Sequence, residues 1–325
     1  MGSPLRLTVV GAAEAEAQAA WEAVMTEFEA AERAMSRYRP SSDLCALNRR
    51  AGSGEPIPVE RRLRIALAAA DRAGRVTRGR FDARVLADLE RLGRSDAPAV
   101  QTSLPAESTA ARRRPDRAGS TRWLNVVGRS ARIALSERID LDGIGKGLAL
   151  RWAWHLVGAL LEPGVGALLE AGGDIVACSP SPDAGPWRIA IEDPTVEIST
   201  RPDDGAGSSS TALPQPMAVV GLDRGAITTS STAVNRWVVD GRVVHHLIDP
   251  ATGEPGGAGL LAVTVSAIDP AWAEVWSKSL FLAGRAGIAA EARRRGLAAW
   301  WVATDGSIEM TPAARLVTVW SASDS

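Results

Sequence analysis

The sequence predicts an α+β protein with a large, mostly antiparallel sheet flanked by helices. Three observations indicate this class. Segments with apolar residues at helical spacing are mixed along the chain with short segments in which apolar and polar residues alternate. A two-residue Asp-Gly turn joins two β-branched runs, which is typical of an antiparallel hairpin. The 325 residues are 46% hydrophobic and 23% charged, enough for one large globular domain or two ordinary ones.

The N-terminal third is predicted to consist of one strand and three helices. Residues 4–10 alternate as a strand does. A long amphipathic helix over 14–36 follows, because its large apolar side chains recur every three or four residues. Two further helices are predicted over 60–74 and 84–92.

Two segments have compositions that do not support a hydrophobic core. Residues 95–120 are rich in Pro, Ser, Ala and Arg and lack apolar periodicity, and residues 195–216 are similar. Both are predicted to be flexible insertions in a single domain that spans residues 1–325.

The middle of the chain is predicted to form strands around tight turns. Two short alternating segments are followed by a strand, a glycine-rich turn and a helix over 138–162. Two strands flank Gly172-Gly173, and another strand covers 187–194. Residues 235–249 are predicted to form a hairpin around Asp240-Gly241. The C-terminal part then adds a strand over 261–267, helices over about 270–283 and 286–295, and a final strand region over 296–310.

Charge and cysteine content exclude several functional classes. Lys plus Arg number 37 and Asp plus Glu 38, so the chain lacks the basic excess of a nucleic-acid-binding protein. Cys45 and Cys178 stand far apart without metal-ligand spacing, which favours reduced thiols and a cytoplasmic location. The first residues lack a signal-peptide pattern, and no apolar run reaches the roughly 18 residues of a membrane span. No membrane insertion is therefore predicted.

The glycine-rich turn, Asp140 to Gly147, is the first candidate for a ligand site. Glycines let a ligand approach the backbone, and the following helix N-terminus with Lys146 would favour a phosphate. The pattern matches neither the dinucleotide fingerprint nor the Walker A loop. A tight strand-to-helix turn with a surface lysine is the alternative interpretation.

Histidines and aromatic residues supply the other candidates. His245 and His246 are adjacent on a strand, so they point to opposite faces and only one can serve a given site. The segment Thr77–Asp82 either anchors a loop or presents Phe81 and Asp82 to a ligand. Tyr38 is either a packing residue at the rim of the protein or a flat face for a ring system.

Taken in order along the chain, these segments resemble the FAD:protein FMN transferases, the ApbE-like family. The resemblance covers nearly the whole chain outside the two insertions. The matching segments are Met1–Ser3, Ser36–Tyr38 with Leu47-Asn48, Thr77–Asp82, Asp140–Gly147, Gly172–Asp174, Thr229-Ser230 and His246–Gly253.

The resemblance implies an ApbE-like, T-fold-related architecture and a transferase activity. Such proteins bind FAD as substrate, cleave its pyrophosphate, and attach FMN through a phosphoester to a Thr or Ser hydroxyl of an acceptor protein, releasing AMP. Some relatives hydrolyse FAD to FMN and AMP instead. By analogy, His246 is the general base for the acceptor hydroxyl. The implied FAD-binding residues are Met1, Tyr38, Arg80, Phe81, Asp82, Asp140, Lys146 and Ile248.

The implied Mg²⁺ site departs from the family pattern. A late helix of the family reads Ala-Asp-Ala-x-x-Thr-Ala, whereas this chain reads "AEVWSKS" from Ala273. Glu274 replaces the Asp, and Lys278 replaces the Thr; Glu274, Ser277 and the Gly143 carbonyl remain as candidate ligands. A protonated lysine has no lone pair, so Lys278 cannot ligate a cation.

This departure leaves two interpretations of the chemistry. In one, the ammonium of Lys278 takes the place of the metal ion and contributes to catalysis as a weaker positive centre. In the other, the protein binds a flavin nucleotide but no longer transfers it. Hydrolysis of FAD to FMN and AMP is a third outcome that the resemblance permits.

Overall fold

The computed structural model describes residues 4–94, 123–127, 132–195 and 216–322. Both predicted insertions lie almost wholly outside these ranges, and Met1 lies outside them too. The predicted helices are confirmed with small shifts at their ends. The helices are α1 (Glu14–Met35), α2 (Asp43–Asn48), α3 (Arg61–Val76), α4 (Leu86–Arg91), α5 (Gly145–Leu160), α6 (Pro270–Leu282), α7 (Gly284–Arg294) and α8 (Pro312–Arg315).

Strands make up the rest of the regular structure, and most coincide with predicted segments. The strands before the predicted hairpin are β1 (Leu5–Val10), β2 (Ile57–Pro58), β3 (Leu124–Val127), β4 (Arg132–Leu135), β5 (Gly166–Ala171), β6 (Asp174–Cys178), β7 (Trp187–Glu192), β8 (Pro216–Leu222) and β9 (Arg224–Ser231). The remaining strands are β10 (Arg236–Val239), β11 (Arg242–His245), β12 (Ile248–Asp249), β13 (Glu254–Pro255), β14 (Leu260–Ala267), β15 (Ala298–Ala303), β16 (Ile308–Met310) and β17 (Thr318–Ser321).

The largest sheet has the order β1-β5-β6-β9-β14-β15-β16, and all its neighbouring strands are antiparallel. The predicted α+β class is therefore confirmed. Two smaller three-stranded sheets have the orders β17-β8-β7 and β2-β4-β3. The hairpin predicted around Asp240-Gly241 is also confirmed, since β10 pairs with β11 and both turn residues have positive φ.

Both faces of the large sheet are covered. Successive residues of a strand point to opposite faces, and the core clusters follow this rule. Leu169 packs with the helices α1, α3 and α5, whereas its neighbour Leu168 packs with β7 and β8. Trp301 packs with α6 and α7, whereas Trp300 lies in the β7–β8 cluster. The helical face therefore carries α5 and α6 side by side against the sheet.

One predicted strand is not formed. A strand was expected from residue 138 into the glycine-rich turn, but the structure has irregular backbone there. The side chain of Asn48 takes the hydrogen bonds that a neighbouring strand would have supplied. Cys45 and Cys178 are free thiols. In the described part of the chain no helix has the length and apolar character needed to cross a membrane.

Candidate active site

The glycine-rich turn is fixed by contacts from two distant segments. The Asn48 carboxamide donates from Nδ2 to the Ile139 carbonyl at 2.9 Å and accepts from the Ile139 N–H at 3.0 Å. The next N–H, that of Asp140, donates to the Ala83 carbonyl at 2.7 Å. Helix α5 then begins at Gly145, directly after the turn. The turn is therefore held as one rigid unit at a helix N-terminus, as predicted for an anion-binding site.

Phe81 and Lys278 meet at the middle of this turn. A Cβ atom added to Gly143 would lie 2.9 Å from the Phe81 ring and 3.6 Å from Lys278 Cδ. Glycine is therefore needed at position 143 because the aromatic ring occupies the space of a side chain. Phe81 itself is buried, so it supports the turn from beneath.

Lys146 forms an ion pair at the start of α5. Its Nζ donates to Asp174 Oδ2 at 2.5 Å, and Asp174 begins β6 directly after the Gly172-Gly173 turn. Burial alone would lower the pKa of Lys146, but the carboxylates of Asp174 and Glu274 raise it above its ordinary value. Lys146 is therefore a charged ammonium whose side chain keeps 30% exposure to solvent.

Glu274 and Lys278 form a second ion pair on α6. Lys278 Nζ lies 3.1 Å from Glu274 Oε1, in the i, i+4 geometry that the spacing predicts. The other oxygen, Oε2, accepts the Gly147 N–H at 2.8 Å. Burial raises the pKa of Glu274, while the charges of Lys278 and Lys146 oppose that shift. Both carboxylate oxygens thus have partners within the protein.

The implied Mg²⁺ ligands do not fit a metal ion in this arrangement. The Ser277 hydroxyl shares a hydrogen bond with Ser230 and donates to the Glu274 carbonyl, so it is used inside the helix–sheet interface. A Mg²⁺ ion at its usual distance from Glu274 Oε1 would lie within about 5 Å of the Lys278 ammonium. Repulsion between these two cations would cost roughly 7 kcal/mol at an effective dielectric constant of about 20. Nor do three His, Cys, Asp or Glu side chains come together as ligands among the described residues.

His246 faces the same positive groups. Its pKa is lowered to about 3, first by burial and then by the charge of Lys278, with smaller contributions from Arg94, His245 and Lys146. The imidazole is therefore neutral at pH 7. Its Nδ1 atom is buried and has no hydrogen-bond partner in the described structure, which is uncommon for a buried polar atom.

His245 makes contacts different from those of His246. Its ring packs edge-on against Phe281 with the ring centroids 5.9 Å apart, and its Nδ1 accepts the Leu247 N–H at 3.3 Å. The loop that follows is shaped by Asp249, whose carbonyl accepts the Gly253 N–H at 2.8 Å. His245 is thus a structural residue at the end of β11.

A second charged group borders the turn on its other side. The Arg37 Nε atom lies 3.3 Å from Asp140 Oδ2, and its guanidinium also contacts the Tyr38 ring and hydroxyl. Arg94 donates to the same hydroxyl at 3.2 Å. Burial and the nearby Asp142 carboxylate raise the pKa of Asp140 to about 7, against the opposing charge of Arg37. Tyr38 is 45% exposed, so part of its side chain is open to solvent.

Three predicted FAD-binding residues are used within the protein. Asp82 accepts the Arg84 N–H at 2.9 Å and pairs with the Arg84 guanidinium, so it caps its own turn. Arg80 lies 3.6 Å from the buried carboxylate of Glu291. Ile248 is buried with Val244 in a small core cluster under the hairpin. Their side chains therefore make contacts of their own within the protein.

The sequence interpretation missed four residues that the structure places at the site. Arg37 and Arg94 reach Asp140 and Tyr38, Asp174 neutralises Lys146, and Asn48 clamps the turn. Arg37, Asn48 and Asp174 carried a signal, since all three fall in segments that match the family, whereas Arg94 does not.

Comparisons with known proteins point to one family. Residues 1–301 match the model of the ApbE family. The chain is similar to the FAD:protein FMN transferase of Klebsiella pneumoniae (strain 342), with 29% identity over 94% of this chain and 83% of the relative. The same-named protein of Salmonella typhimurium is 28% identical over the same shares of the two chains.

Solved structures show the same fold. The ApbE protein of Thermotoga maritima aligns with a TM-score of 0.79 and 24% identity, covering 97% of this chain and 96% of that chain. The apo flavinyl transferase ApbE of Pseudomonas stutzeri aligns with a TM-score of 0.73 and 24% identity, covering 97% of each chain.

Proposed function

We propose that this chain, which belongs to the ApbE family, is an FAD:protein FMN transferase. Its substrates would be FAD and an acceptor protein that presents a Thr or Ser hydroxyl, and its products would be the flavinylated protein and AMP. The names of its relatives support this reaction. The observation that carries the proposal is the neutral His246, with a free buried nitrogen, beside the ammonium groups at the glycine-rich turn.

The reaction has a simple balance of bonds. The acceptor oxygen forms a bond to the phosphorus of the FMN half of FAD. The bond from that phosphorus to the bridging oxygen breaks, and AMP leaves with the bridging oxygen. The hydroxyl proton passes to His246. No electron transfer is involved, since the flavin is the group transferred.

Lys146 and the N-terminus of α5 suit the pyrophosphate, because an ammonium and the positive end of a helix dipole favour anions. Tyr38, which is partly exposed, suits the flat parts of FAD. Asp140 can accept a hydrogen bond from ribose or adenine when ionised and can donate one when protonated.

His246 suits the role of general base because it is neutral at neutral pH. A pKa near 3 describes the protein without substrate. Bound phosphates would offset the ammonium charges and raise the pKa of His246 toward the range of an efficient base. Proton uptake and substrate binding would thus be linked at this imidazole.

The test is incubation of the pure protein with FAD and a synthetic peptide in which a threonine is flanked by small residues. The matched control is the same peptide with alanine at the threonine position. Transfer predicts a covalently flavinylated threonine peptide and one AMP for each peptide modified, with no reaction of the control. FMN and AMP formed equally without peptide would instead establish a hydrolase. FAD that remains bound and intact for hours would establish a binding protein.

A further inference from the structure

Four charged side chains meet where the glycine-rich turn runs into α5. Asp174 pairs with Lys146 at 2.5 Å, and Glu274 pairs with Lys278 at 3.1 Å. The two pairs are neighbours, because the charge of Glu274 acts on Lys146 and that of Asp174 acts on Glu274. We call these residues the four-charge cluster. It holds two cations and two anions, so it is neutral without any bound ion.

Within this cluster, the Lys278 ammonium covers the Glu274 carboxylate. The side chain of Lys278 is 18% exposed, whereas that of Glu274 is 1% exposed. A ligand that enters from solvent therefore meets the ammonium first. The carboxylate behind it is held on its other side by the Gly147 N–H. Glu274 thus orients a cation that belongs to the protein.

The Lys278 side chain is also near both the glycine-rich turn and the His246 imidazole. Its Cδ atom is 3.6 Å from the position of a Cβ on Gly143. Its charge is also felt at His246. A phosphate bound along the turn, and attacked by an acceptor hydroxyl whose proton goes to His246, would therefore lie close to the Lys278 ammonium.

We propose that the Lys278 ammonium, oriented by Glu274, is the positive centre for the FAD pyrophosphate, so that FMN transfer in this protein proceeds without a divalent cation. This inference rests on the proposed transferase function. The ammonium neutralises a nonbridging phosphate oxygen while the bond to the acceptor oxygen forms and the bond to AMP breaks. It keeps its three protons throughout, so no additional reactant is required.

The first measurement is the transfer rate in EDTA and in millimolar Mg²⁺. The rates are expected to agree within about twofold, since the site has no place for the ion. A rate that appears only with Mg²⁺ would overturn the proposal. A second measurement does not depend on activity: Mn²⁺ binding to the free protein, followed by the loss of the electron paramagnetic resonance signal of free Mn²⁺. No 1:1 binding of Mn²⁺ is expected at millimolar Mn²⁺ concentrations, and a tight Mn²⁺ site would refute the proposal.

Substitutions at position 278 provide the matched comparison. Lys278→Thr uncovers Glu274 and adds a hydroxyl ligand, so it is expected to bind Mn²⁺ and to make transfer dependent on Mg²⁺. Lys278→Arg keeps the charge and is expected to retain slower, metal-independent transfer. If the Arg variant required Mg²⁺ as the Thr variant does, the charge at this position would not be the relevant property.

Binding measurements separate a failure of this inference from a failure of the proposed function. Lys278→Gln is expected to weaken FAD binding at least tenfold and to leave riboflavin, which has no phosphate, unchanged. Equal effects on both ligands would refute contact between the amine and the pyrophosphate. A complete absence of transfer, together with the selective loss of FAD affinity, would refute the transferase function but not the role of Lys278 in binding.

Discussion

Two glycines of helix α5 should respond in opposite ways to the same substitution. At Gly147, an added Cβ would lie 2.5 Å from Ala271 Cα and 2.7 Å from the Pro270 carbonyl oxygen. These are backbone atoms of the first turn of α6, so no side chain can rotate away. At Gly158, nothing lies within 4 Å of the added atom. The two positions therefore separate helix propensity from helix packing within one helix.

The magnitudes follow from these distances. Carbon atoms in contact normally stand about 3.5–4.0 Å apart, so Gly147→Ala must separate α5 from α6 by about 1 Å. Overpacking of this kind costs about 1–3 kcal/mol, and the upper part of that range applies because backbone is involved. After the gain of about 1 kcal/mol from helix propensity, the net loss should be about 2 kcal/mol. Gly158→Ala should raise the free energy of unfolding by about 0.5 kcal/mol.

Urea-induced unfolding of the two variants measures the difference directly, provided that the slope with urea stays constant. Gly147→Ala should also weaken FAD binding, because α6 carries Glu274 and Lys278, and the Gly147 N–H donates to Glu274. Equal free energies of unfolding for the two variants would show that the close approach of α5 to α6 is not a constraint on the fold.

Three further substitutions test the groups around the turn. His246→Gln should reduce transfer by about 10²–10⁴-fold and retain FAD binding. Because the folded state lowers the pKa of His246 from 6.5 to about 3, this residue contributes stability that is complete above pH 6.5 and is lost as the pH falls through that window. The variant should therefore lose less free energy of unfolding than the parent on acidification, and parallel curves would contradict this. Asp174→Asn should lower the free energy of unfolding by about 2 kcal/mol, less than the loss of a fully buried ion pair, because Lys146 is partly exposed. Urea-induced unfolding measures this loss, and an unchanged midpoint would show that the ion pair adds no stability. Asn48→Ala leaves two backbone groups of Ile139 without partners and should lower the free energy of unfolding by about 2 kcal/mol. It should also weaken FAD binding in a fluorescence titration. Unchanged FAD affinity would mean that the turn keeps its shape without the Asn48 side chain.

The fold could be predicted largely from local patterns. The hairpin at Asp240-Gly241 and the long helix α1 follow from turn chemistry and apolar spacing, and both are confirmed. The strand expected directly before the glycine-rich turn is wrong, because the hydrogen bonds of Ile139 go to a side chain 91 residues earlier in the sequence. A local pattern cannot distinguish a strand neighbour from a carboxamide that makes the same two bonds.

The site was less predictable than the fold. The pairing of Glu274 with Lys278 follows from their spacing on one helix. The pairing of Lys146 with Asp174 and the contact of Gly147 with Glu274 join residues 28 and 127 positions apart, which no periodicity reveals. Matching the family by segment named candidate residues for the site. It did not show which of them, such as Asp82, are bound by neighbours of their own.

The position of the four-charge cluster argues for function rather than stability. Two buried ion pairs are often no more stabilising than apolar side chains of similar volume, because desolvation offsets their attraction. The helices around the cluster already have a large apolar core, to which α1, α3, α5 and α6 contribute. The fold therefore has no thermodynamic need for charges beneath the glycine-rich turn. Lys146 and Lys278 place two fixed ammonium groups near a neutral imidazole, and fixed positive groups of this kind can stabilise the charge that develops when a phosphoryl group is transferred.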